Sequence, residues 1–483
     1  MRVDLFRMER TQCLYEDEVE YNLSESGVLP MRVDELLEGS PDPEWLRQAR
    51  LKYPPSRGSE TLRDRIALFY GRDATRDHVM VTNGGSEANY VVLWGLLERG
   101  DRAAIMIPNY MQGWGLARAY AGKADPFRLV ERRDDGRRRW ALDLDGLERS
   151  VTRRTKVILV TNPNNPTGAV LTDEEMDAVT RAARRAGAWI VADEVYRGAE
   201  VSGTTTPTFW GRHDKVLITA GLSKAFGLPG LRTGWIVGPP KTIARLCSYH
   251  DYLTLTPTYL SNYFAEIVME PKRREAILER TRGIIRRNLP RLERWIHTHD
   301  DIFTYIPPRA GAIALVRYGL PIGSVALFDR LRRDQSVLIT PGAHFGIRRY
   351  MRIGYGGVAD RLKASLARID TTLLELQRRP ASRGRSAHAT SSWSPSTACV
   401  FRSCSPAWIR SSHRKKSVRG STTSKGRERG SGATRPKNGA QRFCLSSGAT
   451  SRSRGSSSAT SGREAASTRK TRTCSPPQVT RRS

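Results

Sequence analysis

The chain has 483 residues, 39% of them hydrophobic, and a formal net charge of +31 at pH 7. This length is enough for a large buried core and for two or more domains. No apolar run approaches the length that spans a membrane and the first residues lack a signal-peptide core, so we expect a soluble, cytoplasmic protein. Only Cys13 and Cys247 precede residue 381, without disulfide or metal-ligand spacing, so no metal site is predicted.

Much of the positive charge lies at the C-terminal end. Residues 381–483 contain 22 Lys and Arg, 25 Ser and only two acidic residues, so this segment carries +20 of the net charge. Such a composition buries too little apolar surface to offset its ordering entropy, which predicts a disordered tail over residues 379–483. We favour an extension without function, as a shifted reading frame in GC-rich DNA would produce. The alternative is a basic arm that contacts nucleic acid or another anionic surface.

Strand and helix patterns alternate through the first half of the chain. A short acidic helix is predicted near 33–37, and Leu62, Ile66 and Phe69 mark one face of a helix over 60–70. Helical patterns then separate a series of short apolar runs, which are typical of buried strands. These runs are 78–82, 103–107, 156–160, 189–192 and 215–219. The alternation predicts an α/β fold with a mostly parallel sheet.

The rest of the body has a different pattern. A strand near Trp235 is followed by a helical region over 240–298, with breaks at Pro257 and Pro271. Strands at 313–316, 336–339 and 350–354 and a last helix over 360–376 predict a smaller α+β domain. We therefore expect residues 1–47 to belong to the small domain, 48–285 to form the large domain and 286–378 to complete the small one. Charged residues 131–139 are expected to form a solvated hairpin turn.

Polar residues follow several of these strands, where open α/β sheets bind ligands. Lys224 lies on a Gly-rich turn after the strand at 215–219, which suits a Schiff-base lysine, and Arg232 could hold an anion. Gly85, Ser86 and Glu87 open a helix and could bind a phosphate, although Gly-Gly before a helix is commonly only a turn. Asp193 follows a buried strand. It could cap a helix, form an ion pair or face a protonated ring nitrogen. Tyr110 could stack on a ring or pack in the core.

These features together resemble one enzyme family. The markers are the segments 162–168 (Asn-Pro-Asn-Asn-Pro-Thr-Gly), 193–196 (Asp-Glu-Val-Tyr) and 223–232 (with Ser-Lys and Arg), and then Arg352. Asp193 follows Asn165 by 28 residues, and Lys224 follows Asp193 by 31. Residues 20–376 resemble the class I/II aminotransferases, which are fold-type I enzymes dependent on pyridoxal 5′-phosphate (PLP). The resemblance implies a three-layer large domain, a smaller α+β domain and a homodimer.

The resemblance also implies the residues around the cofactor ring. Lys224 is expected to form an aldimine with PLP and to move the α-proton of the substrate. Asp193 is expected to keep the pyridine nitrogen protonated, so that the ring withdraws electrons. Asn165 and Tyr196 are expected to hydrogen-bond the phenolic oxygen of the ring, and Tyr110 to stack on its face.

Phosphate and substrate contacts are implied in the same way. Arg352 is expected to bind the α-carboxylate of the substrate, with Asn165 and the N–H of Gly27. Tyr53 resembles a tyrosine that reaches the phosphate of the partner subunit, a role also open to Thr256 or Thr258. The residues expected to bind the phosphate within one protomer are Gly85, Ser86, Glu87, Ser223 and Arg232.

Two departures leave the substrate open. Gly221 stands where the family often has a phosphate-binding serine or threonine, and the loop around Gly27 lacks the usual Gly-x-Pro-Asp wording. A second arginine for a dicarboxylic substrate is not evident, and Arg309 and Arg317 are more typical of surface residues. We therefore predict an aminotransferase that moves an amino group from an amino acid to a 2-oxo acid. The alternative is a PLP-dependent lyase or a cyclising synthase similar to the aminocyclopropane-carboxylate synthases.

Overall fold

The computed structural model describes residues 3–38, 44–71, 73–134 and 136–378. The predicted disordered tail, 379–483, lies outside the described residues. Within them, no helix is both long enough and apolar enough to cross a membrane.

The helices of the described residues were found largely where the sequence predicts them. The last helix, predicted over 360–376, is one example, and the region 240–298 divides into three helices at the expected breaks. In chain order the helices are α1 (Arg7–Tyr15), α2 (Val33–Leu37), α3 (Glu44–Gln48), α4 (Glu60–Tyr70), α5 (Gly85–Leu96), α6 (Gln112–Tyr120), α7 (Leu144–Ser150), α8 (Asp173–Ala186), α9 (Pro240–His250), α10 (Tyr259–Met269), α11 (Pro271–His297), α12 (Ser324–Gln335) and α13 (Ala359–Arg378).

The strands form one large and two small sheets. In chain order they are β1 (Tyr21–Asn22), β2 (Val79–Thr82), β3 (Arg102–Ile107), β4 (Ala124–Asp134), β5 (Arg137–Leu142), β6 (Thr155–Thr161), β7 (Trp189–Asp193), β8 (Val216–Gly221), β9 (Gly234–Val237), β10 (Phe303–Tyr305), β11 (Ile313–Tyr318), β12 (Val337–Leu338), β13 (Thr340–Pro341) and β14 (Tyr350–Gly354).

The large sheet has eight strands in the order β2-β9-β8-β7-β6-β3-β4-β5. Strands β8, β7, β6, β3 and β4 are parallel, and β9 runs against both β8 and β2. This arrangement confirms the predicted α/β fold with a mostly parallel sheet. Because the parallel strands point the same way, their carboxyl ends meet along one edge of the sheet.

The central strands are apolar throughout because both faces of the sheet are covered. Along β7, Ile190 and Ala192 join one buried apolar cluster, whereas Val191 between them joins the other. Successive side chains of a strand point to opposite faces, so one short apolar run packs against both layers of helices. This burial fixes where β7 ends and hence where Asp193 lies.

Two local features of the large domain follow from the sequence. Thr172 Oγ1 accepts a hydrogen bond from the Glu175 N–H at 3.3 Å, and Glu175 Oε2 accepts one from the Thr172 N–H at 3.0 Å, forming the capping box of α8. Such a cap stabilises a helix by about 1 kcal/mol. The described residues of the charged segment, 131–134 and 136–139, lie at the end of the β4–β5 hairpin, as predicted, and Asp134 pairs with Arg137.

The second region is an antiparallel sheet with the order β10-β11-β14-β13. Strand β1 pairs in parallel with β12, which joins the N-terminal segment to the C-terminal part of the chain. The strand predicted over 336–339 is wrong in its bounds, because the chain changes partners there: β12 pairs with β1, whereas β13 pairs with β14. Helices α1, α3, α7 and α12 were not predicted. The proposed domain boundaries stay a prediction.

Candidate active site

A cavity of about 550 Å³ lies at the carboxyl ends of the parallel strands. One side, which we call the cofactor wall, carries nine of the predicted site residues: Gly85, Ser86, Tyr110, Asn165, Asp193, Tyr196, Ser223, Lys224 and Arg232. The opposite side, the α1 wall, consists of Met8, Glu9, Gln12, Cys13 and Glu16. The predicted residues thus converge on one site, although they come from distant parts of the chain.

The first turn of α5 and the loop after β8 approach each other closely through glycines. A Cβ atom at Gly234 would lie 2.3 Å from the carbonyl carbon of Gly84, and one at Gly84 would lie 2.6 Å from Arg232 Nη2. Gly84 has φ +97°, and as the N-cap of α5 it brings no side chain to the helix start. The backbone N–H groups of the first turn and the Arg232 guanidinium therefore face the same small space, which suits an anion.

Arg232 adopts a left-handed backbone conformation, with φ +45°, which is uncommon for a residue other than glycine. Its Nη1 donates to the Pro229 carbonyl at 3.2 Å, and no carboxylate among the described residues forms an ion pair with it. Backbone strain of this kind persists where the surroundings hold it. The Arg232 guanidinium thus lies beside the N-terminus of α5 without an ion-pair partner among the described residues.

Glu87 does not line the cavity, because its side chain is directed to the loop around Thr254. Only its backbone N–H remains for the predicted contact with a phosphate. Its carboxylate accepts hydrogen bonds from the Asn83 N–H and from Thr254 Oγ1, the latter at 2.7 Å. Asn83 in turn bonds the Thr256 carbonyl at 3.2 Å and the Thr258 N–H at 3.0 Å. The loop with the two predicted threonines therefore braces the start of α5, and both threonines lie outside the cavity lining.

Asp193 is a buried carboxylate with neutral partners only. Its Oδ2 accepts from Asn89 Nδ2 and its Oδ1 from the Val195 N–H, each at 3.1 Å. Burial raises the pKa of Asp193, and these two hydrogen bonds lower it only in part. A buried anion is costly without a positive partner, so Asp193 is suited to hold a protonated ring nitrogen.

Lys224 forms an ion pair that the sequence did not indicate. Its Nζ lies 2.7 Å from Glu25 Oε1. Burial acts to raise the pKa of Glu25, but the Lys224 charge and hydrogen bond outweigh it and lower this pKa to about 2. Burial acts to lower the pKa of Lys224, but the charge of Glu25, the neighbouring Tyr196 and the hydrogen bond to Glu25 together raise it, so the lysine is a cation here. The predicted donor, the Gly27 N–H, also bonds Glu25 Oε1, at 3.0 Å.

The predicted carboxylate-binding arginine is fully buried. Arg352 Nη1 donates to Asn165 Oδ1 at 2.8 Å and Nη2 to Thr340 Oγ1 at 3.1 Å, while Nε has no partner among the described residues. Met8 covers it, with its sulfur 3.9 Å from Nη1. Burial lowers the pKa of Arg352, and no carboxylate of the described chain pairs with it.

The two predicted tyrosines differ in the hydrogen bonding of their hydroxyl groups. The Tyr196 hydroxyl is buried and has no hydrogen-bond partner among the described residues. The Tyr110 hydroxyl donates to Glu9 Oε1 at 2.8 Å, and its ring meets Phe6 edge-on with centroids 4.9 Å apart. Stacking of Tyr110 on the cofactor stays a prediction.

Several predicted residues lie away from the cavity lining. Tyr53 is 79% exposed, as expected of a residue that serves a partner subunit, but this role stays a prediction. Arg309 and Arg317 are exposed. Within the described residues, no group of three His, Cys, Asp or Glu is placed to hold a metal ion.

Sequence reasoning missed Asn89, Glu25 and the whole α1 wall. The wall residues recur at positions 8, 9, 12, 13 and 16, which is the spacing of one helix face, so this periodicity was a usable signal. Glu25 and Asn89 had no local signal, since each acts through a partner more than 100 residues away.

The residues of the cofactor wall fit PLP on the evidence of their own contacts. Asp193 lacks a cation, Arg232 lacks an anion beside a free helix start, and the buried Tyr196 hydroxyl lacks a partner. The protonated pyridine ring of PLP would pair with Asp193, and its phosphate would bind beside Arg232. Its phenolic oxygen would accept a hydrogen bond from Tyr196.

Comparison with known proteins agrees. A family model described as aminotransferase class I and II matches residues 22–369. The chain is 30% identical over 328 residues to capreomycidine synthase of Streptomyces vinaceus, covering 68% of this chain and 82% of that protein. It is 27% identical over 360 residues to an aspartate aminotransferase of Streptomyces avermitilis, covering 69% and 87%.

Solved structures give the same answer. A PLP-dependent aminotransferase from Streptococcus suis superposes with a TM-score of 0.73 and 26% identity, over 79% of this chain and 100% of that one. The PLP-dependent cyclase OrfR superposes with a TM-score of 0.70 and 27% identity, over 78% and 98%. The described structure is therefore a fold-type I enzyme, and the chain belongs to the PLP-dependent aminotransferases of class I and II.

Proposed function

We propose that this enzyme transfers the amino group of an amino acid to a 2-oxo acid, with PLP held at Lys224. The observation that carries the proposal is the convergence of Lys224, Asp193, Asn165 and Tyr196 on one cavity beside the anion-binding start of α5. When bound, PLP supplies an electron-withdrawing ring that makes the α-proton of an amino acid acidic.

The chain's own residues would divide the remaining work. The first turn of α5 and Arg232 bind the phosphate, and Asp193 supplies the negative charge that keeps the ring nitrogen protonated. Asn165 and Tyr196 hydrogen-bond the phenolic oxygen. Lys224, once its Nζ is neutral, would take the proton from the α-carbon of the substrate and return it to the carbon on the other side of the amino nitrogen.

Arg352 is the proposed site for the substrate α-carboxylate. It is 1% exposed, carries a charge without a carboxylate partner and contacts Asn165 on the cavity wall. A buried guanidinium of this kind binds a carboxylate more strongly than an exposed one, because its geometry is fixed and water competes less. Fixing the carboxylate orients the bond to the α-proton relative to the ring.

A second candidate function is a lyase or a cyclising synthase on the same scaffold. The similarity to capreomycidine synthase and to the cyclase OrfR favours it. Glu25, 2.7 Å from Lys224, would give such a reaction a second acid–base group at the reacting centre.

The test is product analysis with the purified enzyme, added PLP and a panel of amino acids. Transamination requires that one amino acid yields more 2-oxo acid than the PLP present only when an acceptor oxo acid is added. Release of ammonia or formation of a cyclic product without an acceptor would favour the second candidate. If no amino acid reacts in either way and Lys224→Ala behaves like the wild type, the proposal fails.

We also propose a cytoplasmic homodimer in which Tyr53 of one protomer reaches the phosphate site of the other. The exposure of Tyr53 supports this, because an aromatic ring on a loop gains most from burial against a partner. Light scattering should give twice the chain mass, and Tyr53→Phe should weaken PLP binding. A fully active monomer would contradict the dimer.

A further inference from the structure

One face of α1 is directed into the cavity. The five residues of the α1 wall lie at the spacing of successive helical turns, and two of them, Glu9 and Glu16, are acidic. The neighbouring Asp17 does not line the cavity. Arg7 and Arg10, the two basic residues of α1, do not line the cavity either, so Glu9 and Glu16 are the charged residues that α1 and its C-cap bring to it.

Packing at both ends holds α1 in this position. Before the helix, Asp4 forms an ion pair with Arg118 at 2.7 Å, and Phe6 packs on Tyr110. At its end, the Arg332 guanidinium lies 4.2 Å from the ring centre of Tyr15. The carboxylates of the α1 wall are thus placed by contacts with both parts of the fold.

The charges lining the cavity do not balance. Four carboxylates, those of Glu9, Glu16, Glu25 and Asp193, face only two cations, Lys224 and Arg232. Lys224 pairs with Glu25, and Arg232 lies at the start of α5. No basic side chain of the described residues pairs with Glu9 or Glu16, and the donor to Glu9 is the neutral Tyr110 hydroxyl.

Beside the cavity but outside its lining, behind Met8, Arg352 gives the opposite imbalance. Arg352 is a buried cation without a carboxylate partner in the described chain, and the buried hydroxyl of Tyr196, which lines the cavity, has no partner either. An amino acid with one carboxylate and a cationic side chain would complement Arg352 at one end and the α1 wall at the other. A second carboxylate on the substrate would instead meet Glu9 and Glu16 with like charge.

We propose that the substrate of this enzyme is an amino acid with a positively charged side chain, an ammonium or a guanidinium, held by the carboxylates of Glu9 and Glu16. The inference rests on the proposed function and adds the substrate class to it. It also distinguishes this enzyme from the aspartate aminotransferases that it resembles, whose named substrate is a dicarboxylate.

The experiment is a spectroscopic titration of the PLP-loaded full chain with single amino acids and no oxo acid. The visible spectrum reports binding without requiring turnover. The matched pair is L-arginine and L-citrulline, which differ in the charge of the side-chain end but hardly in shape, with L-lysine, L-ornithine and L-aspartate completing the panel. We expect the cationic amino acids to bind at least about tenfold more tightly than citrulline, and aspartate to bind weakest.

Three variants locate the effect. Glu9→Gln and Glu16→Gln keep the side-chain shape and should each reduce the preference for arginine over citrulline by about threefold. Asp17→Asn, a change next to α1 outside the cavity lining, should leave the preference unchanged. An unaltered cofactor band in each variant shows that it has folded and loaded.

Each outcome decides the matter. Tighter binding of aspartate than of arginine, or an arginine preference that survives both Glu→Gln changes, would overturn the inference and leave the proposed function standing. A spectrum that responds to no amino acid would overturn the proposed function and this inference with it.

Discussion

The cofactor wall and the α1 wall enclose one cavity but are built in different ways. Every strand that supports the cofactor wall is a buried, hydrogen-bonded part of the large sheet, so Asp193 and Lys224 hold their places through local burial and strand pairing. The α1 wall is one helix of nine residues, positioned by a few contacts such as Asp4 with Arg118. The predicted catalytic residues thus lie on a wall built from paired strands, whereas the carboxylates proposed to select the substrate lie along a single helix.

The largest effect is expected at Lys224. Lys224→Ala removes the amine that binds PLP and moves the proton, so the rate should fall by about 10⁴-fold or more, and the visible cofactor band should change. Steady-state kinetics and absorption spectra measure both. Lys241→Ala, an exposed lysine on α9, is the control and should behave like the wild type. Substantial activity in Lys224→Ala would show that the reaction does not depend on Lys224 of the cofactor wall.

Asp193→Asn should separate activity from stability. The amide keeps the size of the side chain but removes the charge beside the ring nitrogen, so the rate should fall by about 10²- to 10³-fold. Because burial raises the pKa of Asp193, the ionised carboxylate costs free energy in the cofactor-free fold. The variant should therefore be at least as stable to urea near neutral pH as the wild type. A loss of stability that matches the loss of rate would assign Asp193 a structural role.

Glu194, next to Asp193, should make the stability of the chain depend on pH. Burial raises its pKa from 4.5 to about 7, although Arg197 and bonds from the Phe209 N–H and Thr208 Oγ1 oppose this. Glu194 therefore binds a proton more tightly in the folded chain than in the unfolded chain. The stability that the protonated Glu194 contributes is fully present below pH 4.5 and is lost as the pH rises through about 7.

Glu194→Gln mimics the protonated acid and should remove this loss. At pH 8 the variant should exceed the wild type in its free energy of unfolding by about 3 kcal/mol, whereas near pH 4 the two should agree. Urea unfolding at several pH values measures the difference. A wild type that equals or exceeds the variant at pH 8 would show that the ionised Glu194 is well accommodated.

The smallest effect is expected where the two walls touch. Tyr110→Phe keeps the packing on Phe6 and removes only the hydrogen bond to Glu9, so the free energy of unfolding should fall by about 1 kcal/mol. The visible cofactor band should remain. Loss of the cofactor band would show that the Tyr110 hydroxyl is needed to hold the cofactor and would weaken the division between the two walls.

The same division explains what could be predicted from the sequence. Asp193, Asn165 and Lys224 lie directly after apolar strands, so local patterns place them and the family spacing assigns their roles. Glu25 and Asn89 act through partners that only the folded chain brings near. The spacing of the α1 wall residues was a usable signal for a helix, but it did not show which cavity that helix would line. The predicted strand over 336–339 was wrong because its partner switch depends on β1, more than 300 residues earlier.

The central claim is that PLP is held covalently by Lys224 in this cavity. The most direct measurement is reduction of the PLP-loaded enzyme with borohydride, followed by digestion and mass spectrometry of the peptides. The account predicts a phosphopyridoxyl group on Lys224 alone, and none in Lys224→Ala. A label on other lysines to the exclusion of Lys224, or no label with PLP in excess, would contradict it.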